Sequence, residues 1–469
     1  MTKKPRVISL FLLVMINISA ICSIRNWPLS AAYGFSSLFL MLIICLFFFL
    51  PIAFVSAELA TGWPESGGVF VWIKEAFGHQ LGFLSIWYLW LTNIPWYPTL
   101  LSFIAATAAF SFYPDLAQDK TYMLVMILTL FWFATWLNLK GMKMSSQIST
   151  FGVVFGTIVP GLLIIILGMN WLLSNAPLQI ELSRSSFLPE LNSLNQLVLA
   201  TGILTAFAGI EMSAVHAKEV IDPQKNYPRA IFLSSFIIFS ISALGTLSIA
   251  MVIPPSEISF VSGVLDTIAL FLGAYNLSAF LPPIAIAIAI GAFGQMSTWI
   301  VGPSRGLLAA ANHGDLPVYL HGANSNGMPT ALMLLQGIIV TFLSLLFLFM
   351  PSVSSSFWLL TSLTTQFYLL MYMLMFAAAI RLKFCQPDIP RSFVVPGGKI
   401  GMCLCAGIGF FTSFCAFILG FIPPKHIEVG SHFFYTGFLI VGIILGSLTP
   451  KILSYLAECF LVEDIKTKQ

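Results

Sequence analysis

One arginine interrupts an apolar run. The segment Ile18-Ser19-Ala20-Ile21-Cys22-Ser23-Ile24-Arg25-Asn26-Trp27-Pro28 carries Arg25 eighteen residues beyond Val7. A guanidinium in hydrocarbon costs about 2.5–3.5 kcal/mol on insertion scales, so Arg25 must reach protein, a water-filled hollow or the interface. Pro28 lacks a backbone donor and disfavours helix at Trp27. Either the helix is partly unwound here, with Arg25, Asn26 and Trp27 beside a solute carboxylate, or Arg25 snorkels at the outer end of a regular helix. A second polar island is Thr205-Ala206-Phe207-Ala208-Gly209-Ile210-Glu211-Met212-Ser213-Ala214-Val215-His216. Gly209 permits a non-helical backbone, and Glu211 is an acid in an otherwise apolar run. A helix broken at such a point exposes N–H groups on one half, which suit a carboxylate, and carbonyls on the other, which suit an amine. An amino acid carries both groups. The competing reading is a pair of ordinary helices with packing glycines and prolines.

Three further stretches mix polar and aromatic residues. Gln295 and Trp299 are four apart and share a helix face, so they form either the wall of a cavity or a helix–helix contact with one hydrogen bond. Trp90, Thr92, Asn93, Pro95, Trp96, Tyr97 and Pro98 read as a kinked helix beside a cavity, while an interfacial aromatic belt is the competing and preferred explanation for Trp96 and Tyr97. Thr361, Ser362, Thr364, Thr365 and Gln366 are cavity lining or small-residue packing.

The elements that must hold these residues are set by composition. The chain has 469 residues, 58% hydrophobic and only 8% charged. Soluble domains run at about 25% charged, which excludes a cytosolic enzyme and disorder alike. A net charge of +3 with no long basic run gives no footing for nucleic acid. The seven cysteines show no metal-ligand spacing and sit mostly in apolar runs, as small hydrophobes. With about 20 apolar residues per span, twelve transmembrane helices are expected, starting near Val7, Gly34, Gln80, Tyr122, Phe151, Leu194, Ala230, Ser278, Thr330, Ser356, Gly401 and His432. The first has the basic start of a signal peptide but no small-residue cleavage site, and is read as retained. If the amino terminus is inside, the outer loops hold only Lys120, Arg184 and Lys425 among the basic residues. Both termini are therefore expected in the cytoplasm. No P-loop, voltage-sensor arginine ladder or potassium-type filter is present. Weak points in spans one and six, five apart, follow the pattern of inverted-repeat transporters.

Two signatures then carry a resemblance. Ala57-Glu58-Leu59-Ala60, Pro64-Glu65-Ser66-Gly67-Gly68-Val69-Phe70, Phe77-Gly78 and Gly82-Phe83 resemble the second-helix signature of amino acid–polyamine–organocation (APC) transporters. Pro303-Ser304-Arg305-Gly306, Asn312-His313-Gly314-Asp315-Leu316-Pro317 and Gly327-Met328-Pro329 resemble that family's loop after helix eight. More narrowly, the chain is similar to the bacterial glutamate/γ-aminobutyrate antiporters. Gly209-Ile210-Glu211, Asp222-Pro223, Tyr227-Pro228 and the run Leu247 to Pro254 carry that likeness. Ser297 through Gly306, Pro396-Gly397-Gly398-Lys399 and Phe421-Ile422-Pro423-Pro424 extend it. The resemblance implies an all-α membrane protein with a LeuT-like five-plus-five inverted repeat (7–173 and 194–383) and two added helices (401–457). It also implies amino acid antiport by alternating access in the bacterial inner membrane, with no cofactor or metal. Two departures stand out: Gln295 replaces a glutamate of that branch, and Arg25 stands at an uncharged position. Both make the local charge more positive. The long C-terminal plug of the acid-resistance antiporter has no counterpart after Leu461, so its autoinhibition is not implied. The expected site is Arg25, Asn26 and Trp27 in one break, Phe207, Gly209 and Glu211 in the other, and Gln295 with Trp299 as wall. Proton-coupled uptake through Glu211 and a non-transporting sensor are the alternatives.

Overall fold

The structure is a computed structural model that describes residues 8–65, 67–140, 154–189, 194–213, 220–311, 315–424 and 427–467. Helix α1 (Leu10–Ile21) begins where the Ser9 hydroxyl accepts the Leu12 amide and stops where Cys22 turns extended. Ser23 is extended too, and the chain resumes as a single 3-10 turn at Ile24–Asn26 running into α2 (Trp27–Ala31). Pro28 lies in the first turn of α2, where a missing amide costs nothing. The interruption is thus at Cys22–Ser23, upstream of the position that Pro28 suggested. Next come α3 (Ser36–Ile44), a π-helical turn at Cys45–Phe49 and α4 (Leu50–Gly62), then the short α5 (Val69–Phe77) and the long α6 (His79–Ala109). Following these are α7 (Lys120–Leu139), α8 (Val159–Leu173), α9 (Arg184–Phe187) and α10 (Leu194–Ala206). The chain leaves α10 irregularly at 207–209, and a 3-10 turn covers 210–213. Beyond the undescribed 214–219 come α11 (Pro223–Ala250), α12 (Gly263–Ala274) and α13 (Leu281–Ala311). The remainder is α14 (Thr330–Ser344), α15 (Leu346–Phe349), α16 (Val353–Cys385), α17 (Gly398–Leu419) and α18 (His432–Thr467).

Among the described residues there is no strand, only an isolated parallel bridge from Ile8 to Val220. Nine helical segments among them are long and apolar enough to cross a bilayer. The three other expected spans fall short for physical reasons. The first and sixth are interrupted. The third, α6, is continuous over 31 residues, but Trp, Tyr, Thr, Asn and Pro dilute its apolar character. It packs against α16 and α13 at the centre, with α1 and α2 against α11 and α17 against α16. Large apolar side chains such as Phe236, Phe342, Phe411, Phe433 and Leu445 point outward, a surface that lipid tolerates and water does not. The protein is a multi-pass membrane protein.

Glycines set the closest helix approaches. The Trp27 indole lies against Gly161 of α8 and Gly245 of α11, and a Cβ at Gly245 would overlap the ring. We expect Gly245→Ala to cost about 1–3 kcal/mol, read as a lower unfolding midpoint in detergent. Gly407→Ala, on α17 with open space around it, serves as the neutral control.

Candidate functional site

A cavity with about 630 Å³ of atom-free space, counting its open mouth, lies where the two interruptions meet. The first interruption contributes Ile21, Ser23, Arg25 and Asn26, and the second contributes Thr205 and Ala208. Helix α6 adds Leu89, Thr92, Asn93 and Trp96; α13 adds Trp299; α16 adds Thr364 and Tyr368. The two breaks adjoin directly: a Cβ on Gly209 would stand 3.3 Å from Tyr368 Oη and 3.6 Å from Ile21 Cγ1. Gly209 takes φ +115°, a conformation closed to ordinary L-residues.

The walls are fixed by local hydrogen bonds. Thr92 Oγ1 donates to Tyr88 O at 2.8 Å and Asn93 Nδ2 to Leu89 O at 2.7 Å, each back onto the preceding turn of the helix that carries Pro95 and Pro98. Tyr97 is fully buried and donates to the Trp299 carbonyl at 2.7 Å. The Trp96 and Trp299 rings lie 5.9 Å apart. Trp96 and Tyr97 therefore belong to the interior and not to an interfacial belt. The α16 polar stretch divides. Thr364 faces the cavity, whereas Ser362 accepts from Tyr435 Oη and Gln366 Nε2 donates to Phe417 O, both toward the carboxy-terminal helices.

Glu211 sits behind the cavity. It is 1% exposed and accepts from Tyr368 Oη at 3.0 Å and Tyr372 Oη at 2.7 Å. Tyr372 Oη in turn accepts the Gly209 amide at 2.8 Å. Backbone break, tyrosine pair and acid thus form one chain that pins the interruption to α16. Of the expected residues, Arg25, Asn26 and Trp299 line the cavity, and Gly209 and Glu211 shape it from behind. Trp27 and Phe207 do not reach it. Trp27 fills the space between α8 and α11, because its place in the first turn of α2 turns it to that side, and Phe207 packs on Phe49 and Phe239. The Gln295 side chain lies outside the described residues, as does His216.

Sequence reasoning missed Tyr368 and Tyr372. Their spacing of four on one predicted span was the available signal, since it puts two hydroxyls on one face. It also missed a buried ionic cluster around Glu58 of α4. Glu58 Oε1 accepts from Lys383 Nζ at 2.7 Å and Arg391 Nη1 at 2.6 Å, while Oε2 accepts the Val395 amide at 2.7 Å. Arg391 also donates to the Leu382 and Gln386 carbonyls and lies over the Trp63 ring.

An all-helical membrane bundle with two interrupted helices around a polar cavity is the architecture of a permease. The chain belongs to the amino acid permease family, which it matches over residues 8–445, within the APC superfamily that its signatures suggested. It is a transporter and not an enzyme. It is 43% identical to an uncharacterized transporter of Legionella pneumophila over 450 residues, 96% of this chain and 97% of that one. It is 31% identical to a glutamate/gamma-aminobutyrate antiporter of Lactococcus lactis, covering 95% and 90% of the two chains. A probable agmatine/putrescine antiporter of the same species matches at 26% over 78% of each chain.

Proposed function

We propose that the protein exchanges amino acids across the bacterial inner membrane by alternating access. Twelve spans form a LeuT-like five-plus-five inverted repeat, 7–173 and 194–383, followed by two added helices at 401–457, with both termini in the cytoplasm. The solute lies between the breaks of the first and sixth spans, near the bilayer midplane. Its α-carboxylate meets the amides that open the second half of span one. Its amine meets carbonyls at the end of α1 or at 207–209. Trp299 stands on the opposite wall.

The observation that carries this reading is the meeting of two interrupted helices at one polar cavity. Two facts support it further. Thr364 and Tyr368 fall near the middle of the 33-residue α16, and the relatives include antiporters of glutamate and gamma-aminobutyrate and of polyamines. A glutamate/γ-aminobutyrate type of exchange is the starting point for assay. Purified protein in liposomes preloaded with single unlabelled amino acids is expected to take up labelled solute only when a partner is inside. Equal uptake into empty liposomes would overturn antiport. If an imposed pH gradient then drives that uptake, proton-coupled entry with Glu211 as the proton carrier is the better account, because that buried acid meets tyrosines and no basic side chain among the described residues.

A further inference from the structure

The outward face of the bundle is not smooth. A groove of about 590 Å³ runs along it, with Ile43 and Phe47 on one side and α17 from Cys403 to Cys415 on the other. Thr412 is the single lining residue whose side chain carries an oxygen or nitrogen. Two local features hollow it. The π turn at Cys45–Phe49 inserts a residue into the helical repeat and offsets Phe47 from the stripe that α4 continues. Gly407 leaves its place on α17 empty, since a Cβ there would meet nothing within 4 Å. Phe47 and Phe411 stay exposed at the edges.

The groove has the length of one acyl chain. Cys403 and Cys415 are twelve residues apart on α17, or about 18 Å at the rise of a helix. Half of a bilayer's hydrocarbon core is about 15 Å thick.

At the amino end of α17 the chemistry changes to positive charge. Lys399 lies one turn before Cys403, in the first turn of a helix that no side chain caps. A cation there adds to the positive end of the helix dipole, so helix stability does not account for it. Lys399 is exposed, and its ammonium stands 5.2 Å from the centroid of the Phe384 ring. Arg229 of α11 is a second exposed cation. Three residues after it, Phe232 packs on Phe54 of α4, and both rings meet Phe393, six residues before Lys399. This aromatic cluster links the helices that carry the two cations, beyond the Phe47 end of the groove. Neither cation has a carboxylate within ion-pair distance among the described residues.

We infer that the groove holds one acyl chain of an anionic phospholipid, with its phosphate drawn to Lys399 and Arg229. An apolar slot as deep as one leaflet, with unpaired cations toward one end, complements that lipid in both shape and charge. The site is separate from the solute cavity, and the inference stands whether or not the protein is an antiporter.

The test is native mass spectrometry of the purified, delipidated protein, with dioleoyl phosphatidylglycerol and dioleoyl phosphatidylethanolamine as probes. A basic residue at a membrane surface is worth about fivefold to an anionic lipid. Wild-type protein should therefore hold one phosphatidylglycerol about 25-fold more tightly than phosphatidylethanolamine. A Lys399→Gln/Arg229→Gln double variant should lose that preference. Gly407→Trp, which fills the groove, should weaken phosphatidylglycerol about tenfold and leave the lipid-free unfolding midpoint unchanged. Equal retention of the two lipids by wild type overturns the inference, as does undiminished phosphatidylglycerol binding by Gly407→Trp. A lipid-free dimer that Gly407→Trp dissociates overturns it too, because the groove would then receive a second copy of the chain. If Gly407→Trp fails to fold, the wild-type comparison and the double charge variant decide.

Discussion

Replacing Glu58 by alanine is expected to destabilise the protein by about 3–5 kcal/mol, the cost of leaving buried charge uncompensated. Glu58 is fully buried, and the Lys383 and Arg391 side chains are 9% and 5% exposed, so water cannot take over its role. Three donors lose their acceptor at once, one of them the Val395 amide. Thermal unfolding in detergent should show the largest drop in midpoint of any single substitution considered above. Glu58→Gln should fall between wild type and alanine, because one carbonyl oxygen cannot serve all three donors. Combining Glu58→Ala with Lys383→Met should recover part of the loss by removing one stranded cation. A Glu58→Ala protein as stable as wild type would show that solvent penetrates the cluster.

Gly209→Val should lower exchange up to about 100-fold without preventing insertion, since a strained backbone residue costs about 1–3 kcal/mol. The φ of +115° admits no β-branched residue. The added side chain would also press on Tyr368 and Ile21, one from each flank of the cavity. Relief of the strain would rotate the Gly209 amide away from Tyr372 and loosen the link to Glu211. Initial exchange rates at matched protein density measure the effect, and Gly209→Ala should be intermediate. Near-normal exchange by Gly209→Val would mean that the second interruption is not needed in its present shape.

The residues that break helices were only partly legible in the sequence. Gly209 announced itself by type, and the structure has it at the centre of an interruption. The first interruption carries no such mark, because Cys22 and Ser23 are indifferent residues and the nearby proline starts a helix instead of ending one. Tertiary packing decides there: the Trp27 indole slotted between Gly161 and Gly245 fixes where α2 begins. The position of Arg25 was open for the same reason. Its pocket comes from Trp96, Thr99 and Phe357, on helices that local sequence cannot bring near. Glu58 was visible as part of a motif, but its partners are 325 and 333 residues away, beyond the reach of spacing arguments. The low hydropathy of α6, which keeps it out of the nine most apolar segments although its span was expected from near Gln80, goes with its lining the cavity through Thr92, Asn93 and Trp96.

The Arg391 guanidinium lies 5.0 Å from the centroid of the Trp63 ring, and that arginine is joined to Glu58. A cation seated on an indole alters its emission, so Trp63 is a native fluorophore placed on the clip between α4 and the segment after α16. Subtracting the emission of a Trp63→Phe variant from that of the wild type isolates this indole, whose colour would follow that clip through the working cycle without an attached dye.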